Sequence, residues 1–285
     1  MLEYLHVDVF TSKVLSGNGL TVVFDNNQTL TTEQMQLITQ EFKQFETIFI
    51  TKIALREFTA RIFTVDEELQ FAGHPILGAT ACIHNKYFSK ELAINIQLNL
   101  SAKTVLTNSE KKTGHYYVEM DQGTPEIVGI VPKKEYLKII TRLNLLEDDL
   151  DKELPLEVVS TGLPYLIIPI TKGLEKVEVL AKDLEETLKK YKAKFTYVVD
   201  IPTLECRSWD NTGKGEDVAT GSAAGPLCAY LVTHGVTKPD TSIQIKQGKY
   251  VGRPSVIETR YDTGPPTKIK IAGDVTIFAS GTINT

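Results

Sequence analysis

The segment FAGHPILGATAC at residues 71–82 decides the fold, because the segment VATGSAAGPLCA at residues 218–229 repeats its pattern. In each, a glycine (Gly73, Gly221) precedes a polar residue and a run of small apolar residues, which predicts a closely packed helix. The first N–H groups of a helix have no intrahelical acceptor, and the helix dipole favours negative charge there. About half of the chain separates the two segments. The sequence therefore predicts two similar lobes whose facing helix N-termini form a cleft for a carboxylate.

Composition limits the classes of partner. The chain has 285 residues, 42% of them hydrophobic, and a net charge of −5, which argues against a nucleic-acid partner. The longest apolar stretches, such as residues 165–170, are too short to span a bilayer, and the N-terminus has no secretory pattern. Three cysteines, two of them inside predicted helices, indicate a reduced, cytoplasmic protein without disulfides. A small anionic carboxylic acid is the expected partner, with neither nucleic acid nor membrane.

Short strands dominate the chain and few helices interrupt them, which predicts an α+β fold. The predicted strands are residues 3–10, 20–24, 47–51, 57–64, 94–98, 116–120, 157–160, 165–170, 195–200, 205–209, 242–246, 255–260, 267–271 and 275–279. The predicted helices are residues 31–42, a helix from Pro75, residues 132–140, residues 181–191 and a helix ending near Gly235. Thr31 and Gln34 form a candidate capping box. The predicted lobes are residues 1–127 and 128–273. The last strand, about 274–285, is a candidate to join the first lobe.

Glu46 is the first candidate catalytic residue, since it enters the otherwise apolar strand segment FETIFI at residues 45–50. Apolar surroundings favour the neutral form of a carboxyl group and bring its pKa towards working pH. The alternative is a glutamate at the start of a strand that faces solvent. The neighbouring sequence does not decide between the two.

Polar residues beside the two glycines are further candidates. His74 would lie at the mouth of the anion site, where an imidazole can exchange a proton near neutral pH, unless it is a cap or a surface residue. Asp217 stands in a glycine-flanked loop, either as a helix cap or as a second acid–base group. Thr220 and Ser222 are donors to a bound carboxylate or N-caps. His74 has no second His or Cys at ligand spacing, so no metal site is expected.

Several short segments, spread over almost the whole chain, resemble in their sequence and order the PhzF-like family of phenazine-biosynthesis isomerases. The residues that carry the resemblance are 7–11 with 16–18, 45–47, 72–75, 160–164, 215–223, and 247–248 with 252–255. The chain departs from the pattern at Gly19 and Ala72, where many relatives carry Pro and Cys, and at Val218, which replaces the more usual Pro. None of these departures removes an acid–base group.

The resemblance implies a diaminopimelate-epimerase-like fold: two pseudo-symmetric lobes, each a barrel-like sheet around a central helix, with the active site between them. It also implies a homodimer that needs neither metal nor organic cofactor. Glu46 is implied as the principal acid–base residue, which removes a proton from carbon and returns it elsewhere on the substrate. His74 and Asp217 are the other implied catalytic residues, and which of them returns the proton stays open. The implied substrate-binding residues are Asn18, Gly73, Thr220, Gly221 and Ser222.

Two alternatives use the same architecture. A two-thiol racemase or epimerase needs a reactive cysteine on each face of the substrate carbon. However, Cys82 and Cys228 fall about two helical turns beyond the predicted helix starts. A non-catalytic binding protein would gain nothing from carboxylates beside a bound anion. The sequence therefore predicts a cofactor-independent isomerase that moves a proton on a small carboxylic acid by acid–base catalysis, with the substrate left open.

Overall fold

The computed structural model describes residues 1–284, which divide into two compact units. Unit 1 comprises Met1–Asp121 and Ala272–Thr285, and unit 2 comprises Gln122–Ile271. The strands are β1 (Leu2–Val9), β2 (Asn18–Phe24), β3 (Glu46–Lys52), β4 (Glu57–Thr64), β5 (Glu68–Leu69), β6 (Ala93–Asn99), β7 (Thr104–Lys111), β8 (Tyr116–Gly123), β9 (Glu126–Ile130), β10 (Glu157–Ser160), β11 (Pro164–Ile170), β12 (Phe195–Asp200), β13 (Glu205–Arg207), β14 (Ser242–Gln247), β15 (Ser255–Asp262) and β16 (Lys268–Ile283). The helices are α1 (Thr32–Phe42), α2 (Gly73–Tyr87), α3 (Tyr136–Ile140), α4 (Leu184–Lys189) and α5 (Gly221–Thr233). The α+β class is confirmed.

Eight strands of unit 1 close into a barrel in the order β1–β2–β3–β4–β6–β7–β8–β16, because β16 pairs with both β8 and β1. The antiparallel β1–β16 register runs from Leu2 opposite Ile283 to Val9 opposite Val275. Helix α2 packs against β1, β2, β3, β6 and β7, and every residue from Gly73 to His84 is buried. The predicted central helix of the first lobe is therefore present.

Small residues let α2 approach these strands. A Cβ atom on Gly78 would lie 2.4 Å from Leu20 Cδ2 and 3.2 Å from the Cγ2 atoms of Val7 and Val9. Protein interiors are closely packed and leave no space for an added methyl group here. A larger residue at position 78 would therefore push the helix away from β1 and β2. The small residue at position 78 thus allows α2 to pack closely against β1 and β2.

Strand β7 is absent from the sequence prediction, and its inward side chains explain why. Val105, Thr107 and Ser109 are buried between exposed neighbours, so two of the three inward residues are polar. Helix α2 satisfies them, since the Thr80 hydroxyl donates to Thr107 Oγ1 at 3.0 Å and His84 Nδ1 lies 2.8 Å from Ser109 Oγ. A polar pattern on both faces gives no hydrophobic alternation to recognise.

Unit 2 contains a sheet in the order β15–β14–β13–β12–β11–β10–β9, with parallel pairs β11–β12 and β13–β14. Helix α5 packs against β10, β11 and β15 and is buried from Ala223 to Leu231. A Cβ atom on Gly225 would lie 1.8 Å from Gln122 Oε1, so this helix also depends on a close approach. Other residues of this sheet belong to a hydrophobic core cluster that includes Ile168, Leu188 and Trp209.

Several predicted boundaries need correction. The predicted strands 267–271 and 275–279 are replaced by one strand, β16, which begins at Lys268. Gly273 in its middle does not mark a turn: a Cβ atom there would lie 2.6 Å from Phe10 Cδ1, so the glycine allows the Phe10 ring to approach. Helix α4 is shorter than predicted, and β9 was missed. The Thr31–Gln34 capping box at the start of α1 is confirmed.

Helix length is modest throughout the part of the chain that the structure describes. The longest helix, α2, has 15 residues. None of the helices in this part has the length and apolar character that a bilayer crossing requires.

Candidate active site

Glu46 and His74 face each other in unit 1. Glu46 opens β3, and His74 is the second residue of α2. Glu46 Oε2 lies 3.3 Å from His74 Nε2, and the side chains are 17% and 7% exposed respectively. The solvent-facing alternative for Glu46 and the surface alternative for His74 are therefore wrong. The structure therefore brings two of the predicted catalytic residues together in a place with little water.

Burial sets the protonation state of His74. Desolvation lowers the pKa of its imidazole from 6.5 to about 3, so the ring is neutral near pH 7. A neutral imidazole has one N–H donor and one acceptor nitrogen. The contact is a neutral imidazole beside a carboxyl group rather than an ion pair.

This burial predicts a pH dependence of stability. Because the pKa of His74 is lower in the folded state than in the unfolded state, the unfolded chain binds a proton that the folded chain refuses. Stability should therefore fall as pH drops below about 6.5, by about 2 kcal/mol at pH 5 from this residue alone. Urea unfolding at pH 7 and pH 5, followed by circular dichroism, should show a larger loss for the wild type than for His74→Gln. Equal losses in the two proteins would contradict the burial of a neutral imidazole.

The start of α2 leaves its first N–H groups without a capping side chain. The N-cap residue Ala72 is extended, with φ −149° and ψ 141°, and makes no side-chain cap. Helix N-termini of this kind bind anions through backbone N–H groups. Gly73, a predicted substrate-binding residue, is buried at this point, and Asn18, another, is fully buried at the start of β2.

In unit 2, Asp217 and Thr220 contact each other directly in front of α5. The Thr220 hydroxyl donates to Asp217 Oδ2 at 2.7 Å, and the Ala219 N–H donates to Asp217 Oδ1 at 3.3 Å. The Thr220 backbone N–H donates to Gln247 Oε1 at 3.1 Å. Both donors of Thr220 are therefore engaged within unit 2, and its predicted contact with a substrate stays a prediction.

The next two predicted residues are Gly221 and Ser222, which begin α5. Ser222 Oγ lies 2.7 Å from the Tyr165 hydroxyl, which β11 brings to the N-terminus of the helix. Neither Tyr165 nor Gln247 is among the site residues that the sequence predicts. Gln247 stands in segment 247–248, which carries the family resemblance, and Tyr165 directly follows segment 160–164, but only the fold shows what they contact. That Gly73 and Gly221 hold one carboxylate stays a prediction.

The positions of the three cysteines argue against thiol chemistry. Cys82 lies inside α2 and Cys228 inside α5, and both are buried, as is Cys206 in β13. Burial raises the pKa of the Cys228 thiol to about 11 and that of Cys82 still further. The thiolate is the nucleophilic and basic form of cysteine, so these thiols are inert near neutral pH. Among residues 1–284, no three His, Cys, Asp or Glu side chains are grouped to hold a metal ion.

Solved structures identify the class to which this fold belongs. A hydroxyproline epimerase from Agrobacterium vitis, solved with bound trans-4-hydroxy-L-proline, superposes with a TM-score of 0.66 at 12% identity, over 98% of this chain and 91% of that one. The fold is therefore the diaminopimelate-epimerase-like fold of the epimerases. A predicted epimerase from Pseudomonas aeruginosa has a TM-score of 0.93 at 39% identity, over 100% of both chains.

The family follows from the sequence. Residues 7–281 match the family model described as phenazine biosynthesis-like protein, and the chain belongs to this PhzC/PhzF family. It is 30% identical to the trans-2,3-dihydro-3-hydroxyanthranilate isomerase of Pseudomonas chlororaphis, over 99% of both chains. It is 31% identical to the uncharacterized isomerase YddE of Escherichia coli K12, over 97% of this chain and 96% of that one. The chain is an isomerase, as its sequence predicts.

Proposed function

We propose that this isomerase moves a proton from one carbon to another on a small carboxylic acid, with Glu46 as the acid–base residue. The observation that carries the proposal is the 3.3 Å contact between Glu46 Oε2 and the buried, neutral His74. General acid–base catalysis needs a group that both accepts and returns a proton, in a place where water does not compete. This pair meets both needs.

The reaction balances without an oxidant or a reductant. The Glu46 carboxylate takes the proton of a C–H bond, and the electron pair of that bond moves into the substrate as a double bond shifts. The resulting Glu46 carboxylic acid then returns the proton to another carbon of the same substrate. His74 is neutral near pH 7, so Glu46 takes up and returns the proton beside an uncharged ring.

The rest of the proposed machinery follows the family resemblance. Asp217 is the third catalytic residue. The substrate-binding residues are Asn18, Gly73, Thr220, Gly221 and Ser222. A homodimer in the cytoplasm that acts without a metal or an organic cofactor completes the proposal.

Deuterium exchange tests the proposed function. In D₂O, the wild type should place deuterium on carbon when it is incubated with trans-2,3-dihydro-3-hydroxyanthranilate, the acid named for the relative at 30% identity. Proline and trans-4-hydroxy-L-proline, assayed beside it by NMR, test the racemase and epimerase alternative. Exchange at the α-carbon of these amino acids alone would replace the proposal with an epimerase. Binding of the acids without exchange would indicate a non-catalytic binding protein.

A further inference from the structure

Gln247 is a buried amide at the end of β14, 1% exposed, beside the loop that carries Asp217. Its Oε1 accepts from the Tyr197 hydroxyl at 3.0 Å and from the Thr220 N–H at 3.1 Å. Its Nε2 donates to the Asp217 backbone carbonyl at 2.8 Å and to Thr220 Oγ1 at 2.9 Å. A side-chain amide has two acceptor sites and two donors, so all four are used here.

This arrangement decides which way two hydroxyl protons point. Burial raises the pKa of Tyr197 well above its ordinary value, so the phenol keeps its proton and donates it to Gln247. Thr220 Oγ1 receives an N–H from Gln247, so its own proton is directed to another acceptor. That acceptor is Asp217 Oδ2, at 2.7 Å. A threonine hydroxyl normally rotates to suit its surroundings, whereas this one has a single favourable direction.

We propose that Gln247 is a positioning residue, which holds the Thr220 hydroxyl as a donor to Asp217 Oδ2 and so fixes the orientation of the Asp217 carboxylate. This inference rests on the proposed function, in which Asp217 is an acid–base residue. A carboxylate that is already oriented loses less rotational freedom when it acts on a substrate, and rates depend strongly on such placement. The Thr220 hydroxyl, assigned to substrate binding by the family resemblance, is here given the role of orienting Asp217 instead.

A second buried side chain, that of Arg207, holds the residue that precedes Asp217 in the chain. Arg207 is 8% exposed and donates through Nε and Nη2 to the two carboxylate oxygens of Glu216, at 2.8 and 2.6 Å. Its Nη1 donates to the carbonyls of Leu174 and Val177 at 2.9 and 3.0 Å. These bonds involve neither Gln247 nor Thr220. The loss of the Thr220 hydroxyl should therefore loosen the Asp217 side chain and leave its loop in place.

Substitutions of Thr220 test the catalytic consequence in the deuterium assay with trans-2,3-dihydro-3-hydroxyanthranilate. Thr220→Val keeps the shape of the side chain and removes the donor, so kcat should fall about 10- to 100-fold while KM stays within about threefold. Thr220→Ser restores the hydroxyl and should recover most of the lost kcat. A substrate-binding role would instead raise KM, and an unchanged kcat in Thr220→Val would overturn the proposal.

NMR of protein labelled with ¹⁵N-glutamine tests the network without any substrate. The Gln247 amide protons should exchange slowly with water, disappear in Gln247→Met, and shift in Thr220→Val. The matched control is Gln244→Met on the exposed face of the same strand, which should leave both these protons and the activity unchanged. Unshifted Gln247 protons in Thr220→Val would overturn the proposal. If the wild type exchanges no deuterium with any acid, the proposed function fails and the NMR result alone decides whether Gln247 orders this network.

Discussion

Glu46→Gln is expected to lower deuterium uptake by about 1,000-fold, since general acid–base groups contribute between 10² and 10⁴ to rates. The amide has nearly the same shape as the carboxyl group, but it cannot accept a proton from carbon. His74 cannot replace it, because burial lowers the pKa of the imidazole to about 3 and leaves a weak base. NMR of the substrate in D₂O measures the effect directly.

The matched control for this variant is Glu41→Gln, which makes the same chemical change on the exposed side of α1, five positions earlier in the chain. It should exchange deuterium at the wild-type rate. Circular dichroism should be unchanged in both variants, because neither substitution alters packing. Uptake in Glu46→Gln within about threefold of the wild type would remove Glu46 from its proposed role, since that lies far below the loss expected for an acid–base group.

Gly248→Ala is expected to cost about 3–5 kcal/mol of stability, because it combines backbone strain with a clash. Gly248 has φ +84°, and a Cβ atom there would lie 2.2 Å from the Arg253 carbonyl oxygen and 2.7 Å from that of Val218. Both atoms belong to the backbone and cannot move aside as a flexible side chain would. The Val218 carbonyl lies next to Asp217 in the chain, so any shift also displaces the loop of the candidate site.

Gly252 provides the comparison, since it lies in the same turn with φ +71° and open space where a Cβ would be. Gly252→Ala should therefore carry only the strain of the left-handed conformation, about 1–2 kcal/mol. Trp209, the single tryptophan of the chain, is buried in unit 2, so its fluorescence during urea unfolding reports the unit that contains both glycines. Equal losses in the two variants would show that the carbonyl contacts at Gly248 do not matter.

The sequence predicts most of this fold because local pattern and burial agree along most strands. Strands β4, β10 and β12 have the predicted bounds, and both motif helices are present, although α2 begins at Gly73, two residues before the predicted Pro75. The failures at β7 and at Gly273 share a cause: the decisive contact is distant in sequence. The inward Thr107 and Ser109 of β7 are polar because α2 satisfies them, and Gly273 interrupts no strand because it makes room for Phe10.

For the site, the sequence predicts residue types but not their pairing. Glu46 alone leaves two alternatives open, and the contact with His74, 28 positions later, decides between them. Gln247 is harder to predict, because a glutamine at the end of a strand is ordinarily a solvated residue. Its importance lies in four hydrogen bonds to Tyr197, Asp217 and Thr220, and no pattern along the chain specifies these.

The β1–β16 pairing has a consequence for biosynthesis. The barrel of unit 1 needs a strand that follows all of unit 2 in the chain, so during translation the first 121 residues emerge with one position in the barrel vacant. Unit 2 is contiguous and can fold as it leaves the ribosome, whereas β1 keeps an unpaired edge until Val275–Ile283 arrives. The half that carries Glu46 and His74 is thus the first to be synthesised and the last to be completed.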